Sequence, residues 1–144
     1  MKLKDILKNK GSKVWTVKDS DTISDALEIL VKHNIGAAVV CDDYENIVGI
    51  LSERDIIRAC LYNSKELGIT LVRKLMTKNV ITASPEDETN QIMRIMTDNR
   101  VRHIPVFAAK KLIGIVSIGD VVKSLLEDSE DQIQQLKEYL YGSL

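Results

Sequence analysis

Gly49-Ile50-Leu51-Ser52-Glu53-Arg54-Asp55 decides how this chain is read, because Gly114-Ile115-Val116-Ser117-Ile118-Gly119-Asp120 repeats its pattern 65 residues later, Asp55 meeting Asp120. In each copy an apolar run ends on a serine, and the aspartate three residues on opens a segment with helical spacing. Ser-x-x-Asp is a capping pattern that satisfies free N–H groups at a helix start, worth about 1 kcal/mol without any ligand. The same position suits an anion, since unpaired N–H groups and the positive dipole end gather there. A serine hydroxyl can donate to a phosphate oxygen, an aspartate can accept from both hydroxyls of a ribose, and Arg54 can pair with phosphate in a fork. Duplication does not choose between the two readings, because a repeated helix needs a repeated cap.

The repeat continues upstream at an offset of 66. Val14-Trp15-Thr16-Val17 aligns with Val80-Ile81-Thr82-Ala83, Asp25–Leu30 with Gln91–Met96, and Ala38-Val39-Val40 with Ile104-Pro105-Val106. The residue lost before Gly114 falls in the polar stretch 108–111, which answers 42–46, and turns tolerate such changes. Val14–Val17 and Val80–Thr82 read as short extended segments. Apolar residues recur at helical spacing from Ile23 and from Ile92, with Thr22 and Asp87 near the helix starts. Two hairpins follow, Ala37–Cys41 with Ile47–Leu51 and Arg102–Phe107 with Leu112–Val116. Each hairpin leads into a helix, from Glu53 to about Leu61 and from Ile118 to about Leu126.

The expected fold is therefore α+β (mixed αβ): two β-α-β-β-α repeats with added N-terminal and C-terminal helices. Leu3, Ile6 and Leu7 mark the leading helix, and Val72, Leu75 and Met76 a short one joining the halves. Ile133, Leu136 and Leu140 put one apolar stripe on a polar C-terminal helix, suited to its own protein or to a second copy. The division read from sequence is a first unit at 1–68 including the leading helix, a second at 69–127 and an amphipathic helix at 128–144.

Composition narrows the function. The 144 residues hold 20 Lys+Arg against 21 Asp+Glu, a balance that argues against broad electrostatic capture of nucleic acid or an anionic membrane. Cys41 and Cys60 form no CxxC and lack zinc spacing, so both are expected as reduced thiols in or near the core. No apolar run approaches a membrane span, and Met1–Asn9 is charged with no secretory h-region, so a cytoplasmic protein is expected. The motifs G-x-x-x-x-G-K-[ST], G-x-S-x-G and H-E-x-x-H are absent from the sequence, and His33 and His103 have no sequence partner suggesting a nucleophile or a metal. The expectation is no enzyme, no catalytic residue, no metal and no catalytic cofactor. His33 ends the first long helix, where an imidazole suits the C-terminal dipole. Arg100, Arg102 and His103 gather before the strand Ile104-Pro105-Val106, where the first unit has Ile35, Gly36 and Ala37.

With these residues in place the chain resembles a CBS-domain pair (a Bateman module), from about Leu3 to Lys123. Within that family it looks most like small stand-alone members without a fused effector domain, which carry Ser52-Glu53-Arg54-Asp55, Met96-Thr97-Asp98-Asn99-Arg100-Val101-Arg102-His103-Ile104-Pro105-Val106 and Val116-Ser117-Ile118-Gly119-Asp120-Val121-Val122. The resemblance implies two units related by a pseudo-two-fold axis with two clefts between them, and two chains stacked as a disc-shaped homodimer. It implies adenine between the first short strand and the hairpin, ribose on the Asp of the same unit, and phosphates reaching toward the other unit. Carried over residue by residue, one cleft uses Thr16, Ala38, Val39, Ser52, Arg54 and Asp55, with Arg102 and His103 facing its phosphates. The other uses Thr82, Ile104, Pro105, Ser117 and Asp120. Gly119 stands where the first has Arg54, so the first is expected to hold a phosphorylated ligand more tightly.

Members of the family bind AMP, ADP, ATP, NAD(H) or S-adenosylmethionine, and guanidinium groups favour the phosphorylated ligands. The resemblance thus implies a regulatory, signal-transducing module that binds an adenosine nucleotide as a regulatory ligand and reports to an unknown effector protein. The alternatives are a ligand-free structural dimerisation module and, with no supporting constellation, an enzyme acting on nucleotides.

Overall fold

The computed structural model describes residues 1–11, 13–62 and 64–142. Two compact units form, one from 13–81 and the other from 82–144 together with 1–12.

In the contiguous unit, β1 (Thr16–Lys18) pairs in parallel with β2 (Ala37–Cys41), and β2 pairs antiparallel with β3 (Ile47–Ser52). Between β1 and β2 runs α2 (Ile23–Lys32), whose Thr22 hydroxyl accepts from the Asp25 N–H at 3.2 Å while the Asp25 carboxylate accepts from the Thr22 N–H at 3.2 Å. Helix α3 (Glu53–Tyr62) follows β3, and the short helix α4 (Val72–Leu75) closes the unit. Val17, Ile23, Ala26, Leu30, Ala38, Val40, Leu51, Ile56 and Val72 form its core.

The second repeat contributes α5 (Thr89–Asn99), the antiparallel hairpin β4 (His103–Ala108) and β5 (Lys111–Ser117), and α6 (Ile118–Tyr141). Here the expected extended segment at Val80–Thr82 shrinks to a single parallel bridge, Ala83 to Val106. Two prolines account for this: the counterpart of Val39, which pairs with Thr16 on β1, is Pro105, with no N–H to return to the segment before Ala83, and a second proline acts after Ala83. In the first repeat the Asp19 N–H extends the ladder by donating to the Cys41 carbonyl at 2.9 Å. Its counterpart is Pro85, which has no N–H to donate. Asp87 lies near the helix start as expected, one residue before the N-cap Glu88, and its carboxylate accepts from the Ser84 N–H at 2.8 Å, closing a turn.

Sequence grouped the leading helix with the first repeat, at 1–68. In the structure α1 (Leu3–Lys10) belongs to the unit of the second repeat. Leu3, Ile6 and Leu7 are buried, and the Leu3 and Lys4 N–H groups donate to the Asp87 and Pro85 carbonyls, both at 3.0 Å. The segment leading into the second repeat does the same for the first: the Val72 and Arg73 N–H groups donate to the Asp21 and Asp19 carbonyls at 2.8 and 3.0 Å. Each repeat is completed by the segment that precedes the other. The stretch 128–144 is likewise no separate element. Up to Tyr141 it continues α6, an unbroken helix of 24 residues, while 143 and 144 lie outside the described residues. Cys41 is half-buried, its thiol pKa pushed up by burial, but Cys60 is exposed on α3 rather than in the core.

The repeated glycine lies under these exchanged segments. A Cβ on Gly49 would meet the Thr77 carbonyl oxygen and the Met76 sulfur, each at 2.8 Å, and one on Gly114 would meet Leu7 Cδ2 at 2.5 Å. A backbone carbonyl held by the Ile50–Thr77 bridge cannot move aside, whereas a leucine methyl can. Gly49→Ala should therefore cost about 1–3 kcal/mol and Gly114→Ala less. Urea denaturation of the two variants checks this, and the opposite order would refute it.

Candidate functional site

In the contiguous unit Thr16 sits exposed on β1, opposite Val39, while Ala38 and Val39 are buried on β2. Ser52 ends β3 and α3 begins at once. The Ser52 N–H donates to Asp55 Oδ2 at 2.9 Å and its hydroxyl donates to the same oxygen at 3.0 Å; the Asp55 N–H lies 3.3 Å from Ser52 Oγ. The Glu53 N–H donates to the Gly36 carbonyl at 2.9 Å, tying the helix start to the chain entering β2. Arg54 is exposed in the first turn.

The other unit repeats the arrangement. The Ser117 N–H donates to Asp120 Oδ2 at 2.9 Å, the Asp120 N–H to Ser117 Oγ at 3.2 Å, and the Ile118 N–H to the Arg102 carbonyl at 2.8 Å. Ile104 and Pro105 are buried on β4, His103 is half-buried opposite Ser117, and Arg102 is exposed. Thr82 is exposed beside Ala83, whose N–H donates to the Pro105 carbonyl at 3.0 Å. Arg100 ends α5 in the left-handed conformation, φ 54° and ψ 39°, as its counterpart Asn34 does at φ 51°. Left-handed backbone is costly for a long side chain and cheaper for asparagine.

Thus Thr16, Ala38, Val39, Ser52, Arg54 and Asp55 fall in one unit, and Thr82, Arg102, His103, Ile104, Pro105, Ser117 and Asp120 in the other. Capping is realised at both helix starts. It does not exhaust the carboxylates: each cap is made on Oδ2, and Oδ1 of Asp55 and of Asp120 carries none of these bonds. Cap and ligand acceptor are compatible roles for one aspartate.

One residue escaped the sequence reading. Lys10, from the last turn of α1, places Nζ 2.6 Å from Asp120 Oδ2 and 3.0 Å from the Ile115 carbonyl. Partial burial opposes the charge on Asp120, but Lys10 and the Ser117 N–H outweigh it and hold the carboxyl below its usual value. That contribution to stability is present above the ordinary carboxylate range and is lost as pH falls through the lowered pKa. The only signal in the sequence was Lys10 as a cation at a helix end, which is an ordinary place for one.

Trp15, next to Thr16, stacks on His33 with ring centroids 3.4 Å apart and planes 10° from parallel, and Lys13 Nζ lies 4.5 Å from the Trp15 ring. Desolvation under the stack, with Lys32 and Lys13 nearby, lowers the His33 pKa. Among the described residues no group of three His, Cys, Asp or Glu side chains could hold a metal, and no helix is long and apolar enough to cross a membrane.

Duplicated β-α-β-β-α units, each turning from hairpin to helix through Ser-x-x-Asp, define a class of tandem-repeat module. The chain belongs to the CBS domain family, which it matches over residues 3–62 and again over 72–127. CBS-pair proteins are regulatory modules. This chain is 38% identical over 149 residues to the mitochondrial CBS domain-containing protein CBSX3 of Arabidopsis thaliana, covering 97% of this chain and 72% of that protein. It superposes with a TM-score of 0.82 on the CBS-domain protein ATU1752 of Agrobacterium tumefaciens, 42% identical, covering 85% of this chain and 91% of that one. It also resembles the CBS domain pair of protein MJ0100, solved in complex with 5-methylthioadenosine and S-adenosyl-L-methionine, with a TM-score of 0.76 and 27% identity over 89% of this chain and 98% of that one.

The Trp15–His33 stack makes the first unit readable by fluorescence, because Trp15 is the only tryptophan. With a folded pKa below the unfolded value of about 6.5, His33 favours folding while neutral, and this contribution falls away as pH drops from there through the lowered pKa. Trp15 emission should titrate with a midpoint below 6.5, and Lys13→Met should raise that midpoint. A midpoint at or above the ordinary histidine value would refute the stack.

Proposed function

We propose that this chain is a regulatory module whose ligand is an adenosine nucleotide, AMP, ADP, ATP or NAD(H). The observation that carries the reading is the pair of helix starts at which one carboxylate oxygen caps the helix and the other is left to accept from a ribose hydroxyl. Asp55 and Asp120 hold the ribose of their respective ligands, and Ser52, Ser117 and Arg54 meet phosphate. Thr16, Ala38 and Val39, and Thr82, Ile104 and Pro105, supply the surfaces for adenine. Arg102 and His103 add phosphate contacts. The two adenosine compounds bound to MJ0100 support the nucleoside part of the reading. The arginines favour a phosphorylated ligand over a sulfonium one. A bound nucleotide shifts the module's conformational equilibrium by no more than its affinity difference between the states, and a separate effector protein, in the cytoplasm, reads the result. The module itself performs no chemistry.

Calorimetric and thermal-shift titration with AMP, ADP, ATP, NADH, GTP and S-adenosylmethionine tests this. Selective stabilisation by an adenine nucleotide is expected, about 2.7 kcal/mol at a hundredfold excess over the dissociation constant. Asp55→Ala should lose more affinity than Asp120→Ala, since Arg54 serves the first site and Gly119 occupies its counterpart. Equal losses would count against that ranking, and a flat response to all six compounds would leave the motifs as helix caps alone.

A second reading, homodimerisation, is favoured by α6. Leu126, Ile133, Leu136 and Leu140 are 59%, 54%, 57% and 63% exposed, which is too much apolar surface for a helix face without a partner. Residues 129–141 of α6 are all exposed, and a helical stretch of that length without packing is marginal in water. Antiparallel pairing of two copies would set Ile133 against Leu136 and Glu130 against Lys137. Light scattering should give a dimer, and the double variant Ile133→Glu/Leu136→Glu a monomer; a monomeric unsubstituted protein would exclude the interface.

A further inference from the structure

At the second helix start the aspartate is paired with a cation, as the aspartate of the first is not, and that cation comes from α1, far off in sequence. Lys10 Nζ bridges Asp120 Oδ2 at 2.6 Å and the Ile115 carbonyl at 3.0 Å. Asp55 has no lysine or arginine within ion-pair distance among the described residues. An ammonium has three donors. Two are spent on Asp120 and Ile115, and one remains beside a carboxylate whose Oδ1 is uncapped. The pair borders a cavity of about 190 Å³ between α1 and α6, lined also by Ile6, Asn9 and Ser124. That is below the roughly 300 Å³ at which pockets take a whole small ligand, so it suits a fragment of one.

A sugar hydroxyl donates one hydrogen bond and accepts others. A lone carboxylate answers only the donor; a carboxylate held against an ammonium answers both. We propose that Lys10 and Asp120 together form a vicinal-diol site, the carboxylate accepting from the ribose hydroxyls and the ammonium donating to them. Lys10 is thereby a binding residue of the second unit and the source of its selectivity for ribose over deoxyribose. This rests on the nucleotide reading above and divides the labour within it: Arg54 serves phosphate at the first helix start, Lys10 serves sugar at the second. Lys10 also holds the Asp120 carboxyl in its accepting form.

Calorimetry with AMP and 2′-deoxy-AMP separates the possibilities in an Asp55→Asn background, which silences the first carboxylate yet keeps a residue able to cap α3. Lys10→Met should weaken AMP about tenfold, the value of one charge-assisted hydrogen bond. It should also erase the preference for AMP over 2′-deoxy-AMP, which Lys10→Arg should largely retain. AMP affinity unchanged by Lys10→Met, or increased because the lysine competes with ligand, would overturn the proposal. So would loss of all AMP binding in Asp55→Asn alone, with the nucleotide reading intact. Failure of the unsubstituted protein to bind AMP at either site would overturn that reading and this one together. A ligand-free measurement stands beside these. By carbon-detected NMR, the Asp120 carboxyl should titrate higher in Lys10→Met than in the unsubstituted protein, and an unmoved titration would show that the pair does not form.

Discussion

The hydrogen bond from a serine N–H to the carboxylate three residues on, made twice, is the contact on which the rest of the structure turns. At Ser52 and again at Ser117 the chain leaves a strand and enters a helix with no intervening loop. Without a cap, a junction that abrupt leaves N–H donors unpaired. The aspartate fixes where the helix begins and spends one oxygen doing so. The neighbouring N–H groups, of Glu53 and Ile118, donate to the carbonyls of Gly36 and Arg102 at the mouth of the preceding strand. The hairpin and its helix are thus bound into one corner. The same economy that makes the corner stable leaves the second carboxylate oxygen without a capping bond.

The repeat was readable because its constraints are local. Hairpin alternation, helical spacing and the glycine-to-aspartate pattern depend on neighbours a few residues apart, and all of them reappear at 65 or 66 residues. β2 spans Ala37–Cys41 as its apolar run predicts, and α3 starts at Glu53. What could not be read was pairing at a distance. Leu3 and Val72 look alike as leading-helix residues, and nothing in their sequence says that each completes the repeat the other introduces. Lys10 was hidden for the same reason, since its partner lies 110 residues away. Pro85 and Pro105 were visible, but their effect needed the register: only once Thr16 is seen to pair with Val39, and Asp19 to donate to Cys41, do the donors missing at Pro105 and Pro85 account for the missing strand.

The two units are therefore alike in plan and unlike in detail, and the differences gather around the two helix starts and the strands that lead to them. The first has a three-stranded sheet and an arginine in the first helical turn; the second has a hairpin with a single bridge, a glycine there, and a lysine brought in from α1. The helix ends preceding the hairpins differ too, Arg100 holding a left-handed conformation that Asn34 adopts more easily.

The exchange of leading segments also sets an order of events during synthesis. Residues 13–81 form a continuous stretch that includes its own completing segment, so that unit has all its parts once α4 has emerged from the ribosome. The other unit waits. Leu3, Ile6 and Leu7 are made well before β5 and α6, on which they seat. Between those two points of synthesis this apolar helix face has no seat. For a nascent chain this is a period of exposed hydrophobic surface and a natural place for a chaperone to act.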